Sequence, residues 1–171
     1  MITKPQPDEY VSFYAGYVTY AAQYTDIIQL LIQLRDSTHQ FINEISTEKE
    51  NYAYATGKWT VKQLVSHLID AERIFAYRIL RISRKDDTNL AGFDENLFVE
   101  NADVNKRSLT NMADEFKAVR SANLYLYKSI TEEQSLYVGM ANNSAITVRA
   151  LLYIAAGHEL HHLNILRERY L

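Results

Sequence analysis

His158 and His162 stand four residues apart in the stretch GHELHHLNILRERYL. On a helix this spacing turns the two side chains about 40° apart on one face, so both imidazoles can reach a single metal ion. With Glu159 between them, the stretch also fits the H-E-x-x-H pattern of zinc proteases, in which the Glu serves as general base. That chemistry needs a third protein ligand, which such proteases draw from further along the chain. Only nine residues follow His162, and their one side-chain carboxylate, Glu168, falls about 240° around the helix from it. The third ligand is therefore expected upstream, and the protease reading ranks last. His161 turns about 60° to the other side of His158, away from the pair, and reads as a supporting, helix-packing or exposed residue rather than a ligand.

Two histidines remain upstream. His39, in DSTHQF, has polar neighbours, whereas His67, in LVSHLIDAE, lies between apolar residues and should face the interior. His67 is the better third ligand. Three imidazoles with an open position suit a divalent ion that also holds water or substrate, and helical bundles supply such ligands from facing helices. Spacing by itself leaves metal binding open, because an isolated core histidine is commonly just hydrogen-bonded and an i, i+4 pair also arises by chance. The chain has no cysteine, so any metal site must be built from His, Asp or Glu. Zinc, nickel, iron and copper all accept imidazole, and the residue types do not choose among them.

Positioning these side chains requires long helices, which the composition favours: five Gly and two Pro in 171 residues, with 47% apolar, give few turns. A single domain spanning residues 1–171 is expected from the length. Ile27, Leu30, Leu31, Leu34, Phe41, Ile42 and Ile45 fall at helical spacing and predict a helix over about Thr25 to Ile45. Thr60 and Gln63 form a capping box that opens a second helix running to about Arg84. Ser108 caps a third helix ending near Ile130, and Thr147 caps the last, which carries the histidine pair. Between the second and third lies a long connection, KDDTNLAGFDENLFVENADVNK, of the length that is usually functional or a crossover. TEEQSLYVGMANNSA reads as a turn, no strand is expected, and the fold class is all-α, a bundle of four helices.

Near the start, Tyr10, Tyr14, Tyr17, Tyr20 and Tyr24 recur every three or four residues, predicting one or two helices over about Asp8 to Tyr24 whose rings pack on the others. Tyr10, Tyr14 and Tyr17 also offer aromatic area for a homodimer. The formal net charge of -3 gives no basic field for nucleic acid. MITKPQPDEYVSF has no apolar core of the signal-peptide kind, and no run nears the roughly 18 apolar residues of a membrane span, so a cytoplasmic protein without a membrane partner is expected.

Trp59-Thr60 followed by His67, then DAERIFAYRILRISRKD, LAGFDENLF and TVRALLYIAAGHELHHLNILRERYL, resemble the DinB superfamily, in particular its DinB-like, YfiT-like metal-dependent hydrolases. The resemblance covers almost the whole chain. It implies an up-down-down-up bundle with a long crossover between the second and third helices. It also implies a divalent metal held by one His of the second helix and two of the last, here His67, His158 and His162. Gln63 departs from the Glu that relatives often carry, so no acid-base role is assigned to it.

The family implied includes S-transferases that use low-molecular-weight thiols such as bacillithiol or mycothiol, a mycothiol-dependent maleylpyruvate isomerase, and members without known activity. The expectation is a metal-dependent thiol transferase or hydrolase acting on a small-molecule substrate. The alternative is a noncatalytic metal-binding stress-response or interaction protein. Arg78, about three turns beyond His67 on the same face, would bind an anionic part of a thiol cofactor or substrate, or else be an exposed basic residue. Glu159 would be a base, a partner of the ligands or a solvated charge, and Asp70, Glu72 and Arg73 would form pairs on or between helices.

Overall fold

A computed structural model describes residues 1–171. Seven α-helices are formed: α1 (Ala15–Ala21), α2 (Ile27–Asn43), α3 (Val61–Ser83), α4 (Glu95–Asn101), α5 (Leu109–Ser129), α6 (Glu132–Ser135) and α7 (Val148–Ile165). The long ones, α2, α3, α5 and α7, are the four predicted, and their starts are set by side chains that take up the free N–H groups of the first turn. Asp26 accepts from the backbone of Ile28 and Gln29, Thr60 and Gln63 close the expected capping box, and Ser108 and Thr147 cap α5 and α7.

In the bundle, α2 and α3 each pack on both α5 and α7. Polar contacts fix the helix directions. His39 near the end of α2 lies 2.8 Å from Asp114 near the start of α5, so these two run antiparallel. Glu50 joins the starts of α3 and α5, pairing with Lys62 at 2.9 Å and accepting from the Leu109 N–H at 3.4 Å, so those two run parallel. His67, early in α3, meets His158 and His162, late in α7, which makes that pair antiparallel. The result is up-down-down-up, and the parallel α3 and α5 require the chain to cross the whole bundle between them. One hydrophobic cluster of 41 buried residues runs from Ile2 to Tyr170, so α1, the four long helices and the segment 138–147 share the same core.

The connection after α3 is ordered throughout. It contains α4, capped by Asp94, and a single turn at Val104–Lys106. The segment read as a plain turn differs from expectation: it holds α6 and a two-stranded antiparallel hairpin, β1 (Val138–Ala141) with β2 (Ser144–Thr147). Asn142 and Asn143 sit between the strands at φ 51° and 59°, the left-handed backbone that two-residue hairpins demand and asparagine tolerates. Leu90 from the crossover pairs with this hairpin, donating to Met140 O at 2.9 Å and accepting from Asn142 N at 2.8 Å.

The tyrosine stripe is only partly helical. Residues 7–14 form two short 3-10 turns, and α1 covers Ala15–Ala21 alone. Glu9 draws this segment to the start of α7, accepting from Thr147 Oγ1 and Arg149 Nε, each at 2.7 Å. Tyr10, Tyr14 and Tyr17 pack against the chain's own core. No helix is long and apolar enough to cross a membrane.

Candidate metal centre

His67 projects from the second turn of α3, fixed by the Thr60 cap, and His158 and His162 project from successive turns of α7. Their Nε2 atoms converge: His158 Nε2 lies 2.9 Å from that of His67 and 3.1 Å from that of His162. Ligand atoms of all three are within 4.8 Å of one another. A tetrahedral site with metal-nitrogen bonds of about 2.0–2.1 Å places its nitrogens roughly 3.3 Å apart, so the His67–His158 and His158–His162 separations lie within a few tenths of an ångström of what a divalent ion requires. The Nδ1 of His162 is buried without a hydrogen-bond partner.

Aromatic rings hold the cluster in shape. Trp59, just before the α3 cap, stacks tilted on His67 with centroids 4.9 Å apart, and its carbonyl accepts from Tyr170 at the end of the chain. Tyr17 of α1 and Phe75 of α3 meet His158 edge-on at 5.4 and 5.6 Å. These apolar surroundings keep the imidazoles neutral, the form that donates to a metal. Burial pushes His67 down to about 4, against a smaller opposite pull from Glu95. It pushes His162 down to about 3 and His158 well below the ordinary histidine value, and the neighbouring imidazoles add to both shifts.

The three histidines line a cavity of about 450 Å³. Three chain segments from which no site residue was expected supply much of its wall: Tyr14 and Tyr17 from the N-terminal segment, Phe93 and Glu95 from the crossover, and Asn142 from the hairpin turn. Glu95 is the one carboxylate that lines it and makes no ion pair. The signal for it was Asp94, an N-cap inside LAGFDENLF, which marks a helix start within the presumed connection.

Arg78 also lines the cavity. It is 4% exposed, which sets aside the exposed-residue alternative. His161 packs against Tyr17 and Tyr20 of the N-terminal segment at centroid distances of 5.3 and 6.1 Å, and His39 lies apart, beside Asp114. Neither belongs to the cluster.

Glu159 turns away from the cavity. One residue after His158, it sits about 100° further around α7 and enters the centre of the bundle. It accepts from Thr38 Oγ1 at 2.5 Å and from Arg120 Nη2 at 2.7 Å. Arg120 also donates to both oxygens of Glu72, at 2.8 and 2.9 Å, and to Leu31 O. Of the roles open to Glu159, base, partner of the ligands or solvated charge, its burial sets aside the last. Its oxygens are occupied in a buried network away from the cavity lining rather than placed as a base would be. Burial raises its pKa, against the opposing pull of Arg120. Burial likewise works against the charge of Arg120, but Glu159 and Glu72 hold its pKa above the ordinary guanidinium value. Arg73 makes the expected interhelix pair, with Glu115 at 2.5 Å.

The sequence profile of the DinB superfamily matches residues 30–166, a span that runs from within α2 to just past α7 and includes all three clustered histidines. The chain belongs to the DinB superfamily. A curated relative from Oceanobacillus iheyensis, named "Putative metal-dependent hydrolase", is 26% identical over 144 residues, covering 81% of this chain and 82% of the relative. Among solved structures, YfiT from Bacillus subtilis aligns with a TM-score of 0.77 at 18% identity, over 98% of this chain and 91% of that one. YfiT is described as "a probable metal-dependent hydrolase with an unusual four-helix bundle topology". A DinB-like protein of Bacillus subtilis, YjoA, aligns with a TM-score of 0.60 at 22% identity, over 84% of this chain and 87% of that one. At these identities the two structures bear on the fold alone, and the four-helix bundle described for YfiT agrees with the bundle of this DinB superfamily member.

Proposed function

We propose that this DinB superfamily chain is a divalent-metal-dependent enzyme of the hydrolase or thiol-transferase type, with His67, His158 and His162 as ligands and a small molecule as substrate. The observation that carries this reading is the convergence of three imidazoles, kept neutral by burial, in the lining of a 450 Å³ cavity. When bound, the ion supplies a Lewis acid that lowers the pKa of water or of a low-molecular-weight thiol and polarises an electrophile. Zinc, nickel and iron all suit the donors. Glu95 takes the proton released by the nucleophile, since it faces the same cavity and is free of ion pairs. The aromatic walls exclude bulk water and so strengthen each electrostatic contact inside. The metal-dependent hydrolase name of the Oceanobacillus relative supports the hydrolase form.

Metal analysis of the purified protein beside His67→Ala and His162→Ala tests the ligands. One equivalent in the parent and well under half in each variant is expected, and a full equivalent in either variant would sink the three-histidine assignment. An assay of aryl esters with water or added thiols then tests catalysis. Metal-dependent turnover is expected, lowered about 10²-fold or more in Glu95→Gln if Glu95 is the base. No turnover with any ester or thiol would favour the noncatalytic metal-binding alternative.

A homodimer in the cytoplasm completes the proposal. With Tyr10, Tyr14 and Tyr17 packed on the chain's own core, the exposed apolar side chains available to a second copy include Phe13, Leu97 and Phe98, at 74%, 55% and 44% exposure. Sedimentation at micromolar concentration checks this, and a monomer alone would overturn it.

A further inference from the structure

We infer that the substrate is a small, flat oxyanion-bearing molecule: its carboxylate or phosphate pairs with Arg78 while its reacting group lies over the histidine cluster. This inference names the substrate class of the site proposed above and rests on that reading.

Two arginines are buried in this protein, and they are treated in opposite ways. Arg120, 1% exposed, is met by two carboxylates and a backbone carbonyl. Arg78, 4% exposed, makes one hydrogen bond, from Nη2 to Ala91 O at 3.0 Å, and no ion pair. A guanidinium carries five N–H donors, and withdrawing its charge from water is costly unless an anion compensates. Within the protein that anion is missing. Arg78 borders the 450 Å³ cavity, so the place where an anion would compensate it is the cavity itself.

Helix geometry makes this a ruler. Arg78 follows His67 by eleven residues, just over three full turns of α3, so the two share a face with their Cα atoms about 16.5 Å apart. Side chains on a helix lean toward its N-terminus, which brings the guanidinium back toward the cluster. Ala71 and Phe75, on the turns between, line the cavity and offer an apolar floor. Phe93 and Tyr14 stand among the opposing walls. Rings on several sides favour a planar middle portion, which they can stack on. A ligand complementary to this arrangement carries an oxyanion at one end, a flat apolar section, and its reacting group several atoms away. Glu95 is the one charged residue besides Arg78 that lines the cavity, and it would repel an anion placed wrongly. The guanidinium fork matches both carboxylate and phosphate, so oxyanion chemistry is the shared requirement.

Trp59 is the only tryptophan in the chain and lines this cavity, so its fluorescence reports binding independently of activity. The zinc-loaded full chain would be titrated with 3-phenylpropionate, with phenyl phosphate, and with the neutral 3-phenylpropan-1-ol. At least one of the two anions is expected to bind ten-fold or more tighter than the alcohol, and which one it is distinguishes carboxylate from phosphate substrates. Arg78→Met should reduce the preference to within two-fold, and Arg78→Lys, which keeps the charge and loses the fork, should leave an intermediate value. Equal binding of anions and alcohol by the parent, or a preference that survives in both Arg78 variants, overturns the inference. A preference lost in His162→Ala but kept in Arg78→Met places the anion on the metal instead and also overturns it. If the protein holds no zinc, the enzymatic proposal fails separately, and the same titration of the metal-free chain still decides for or against Arg78.

Discussion

His158 and Glu159 are adjacent in sequence, yet one faces the cavity and the other the centre of the bundle, because successive residues on a helix diverge by about 100°. The histidines were legible from sequence because their spacing on α7 and the apolar setting of His67 each report local geometry. The task of Glu159 was not, since Thr38 and Arg120 reach it from two other helices, with Glu72 of a third joined through Arg120, and no local pattern records such a meeting. Removing Arg120 leaves two carboxylates buried without a counter-charge. Arg120→Met should therefore cost about 3–5 kcal/mol in urea unfolding, the range for breaking a buried pair from one side. Glu159→Gln retains acceptor capacity toward Thr38 and leaves Arg120 its pairing with Glu72. It should cost under about 2 kcal/mol and keep a full equivalent of metal. Loss of metal or of most turnover in Glu159→Gln would return Glu159 to the site.

Gly157, just ahead of the first histidine, decides how α1 lies on α7. A Cβ at this position would stand 1.8 Å from the carbonyl oxygen of Tyr17, an approach backbone cannot absorb without moving. On an isolated helix Gly→Ala stabilises by about 1 kcal/mol. Here the sign should reverse: Gly157→Ala is expected to destabilise by about 1–3 kcal/mol through overpacking, and to lift α1 with Tyr17 away from His158. Hydrogen exchange would show lost protection in residues 15–21 ahead of the bundle helices, and unchanged protection there would refute the close-packing account. The same element shows what sequence periodicity could not resolve. Tyrosines every three or four residues predict a helix, but residues 7–14 instead make 3-10 turns, with Glu9 bound to Thr147 and Arg149. The hairpin escaped for a different reason: four residues per strand are too few to display alternation, and only the Asn142-Asn143 turn marks it.

Across the whole molecule, the parallel α3 and α5 force the crossover that carries Glu95 and Phe93 to the cavity, so the topology and the site share one cause. Burying three imidazoles at a convergence of helices also couples the fold to pH. In the metal-free chain His67 and His162 titrate near 4 and 3 and His158 well below normal, while all three titrate near 6.5 once unfolded. Between about pH 6.5 and 4 the unfolded chain therefore holds protons that the folded chain does not, and stability rises with pH. The contribution is complete above about 6.5 and is lost as pH falls, at up to roughly 1.4 kcal/mol per pH unit for each histidine. Glu159 acts the other way, since its raised pKa favours the folded state at low pH and that contribution fades as pH rises, but it is one group against three. Urea unfolding of chelator-treated protein at pH 7.5, 6.5, 5.5 and 4.5 should show a flat top and then a steep fall. His67→Ala should lessen the slope by about one proton, and zinc should steepen the parent's loss because protons compete with the ion for the same nitrogens. A stability that does not change between pH 6.5 and 4.5 would mean that these imidazoles are not held neutral by burial, and the preformed donor set would lose its physical basis.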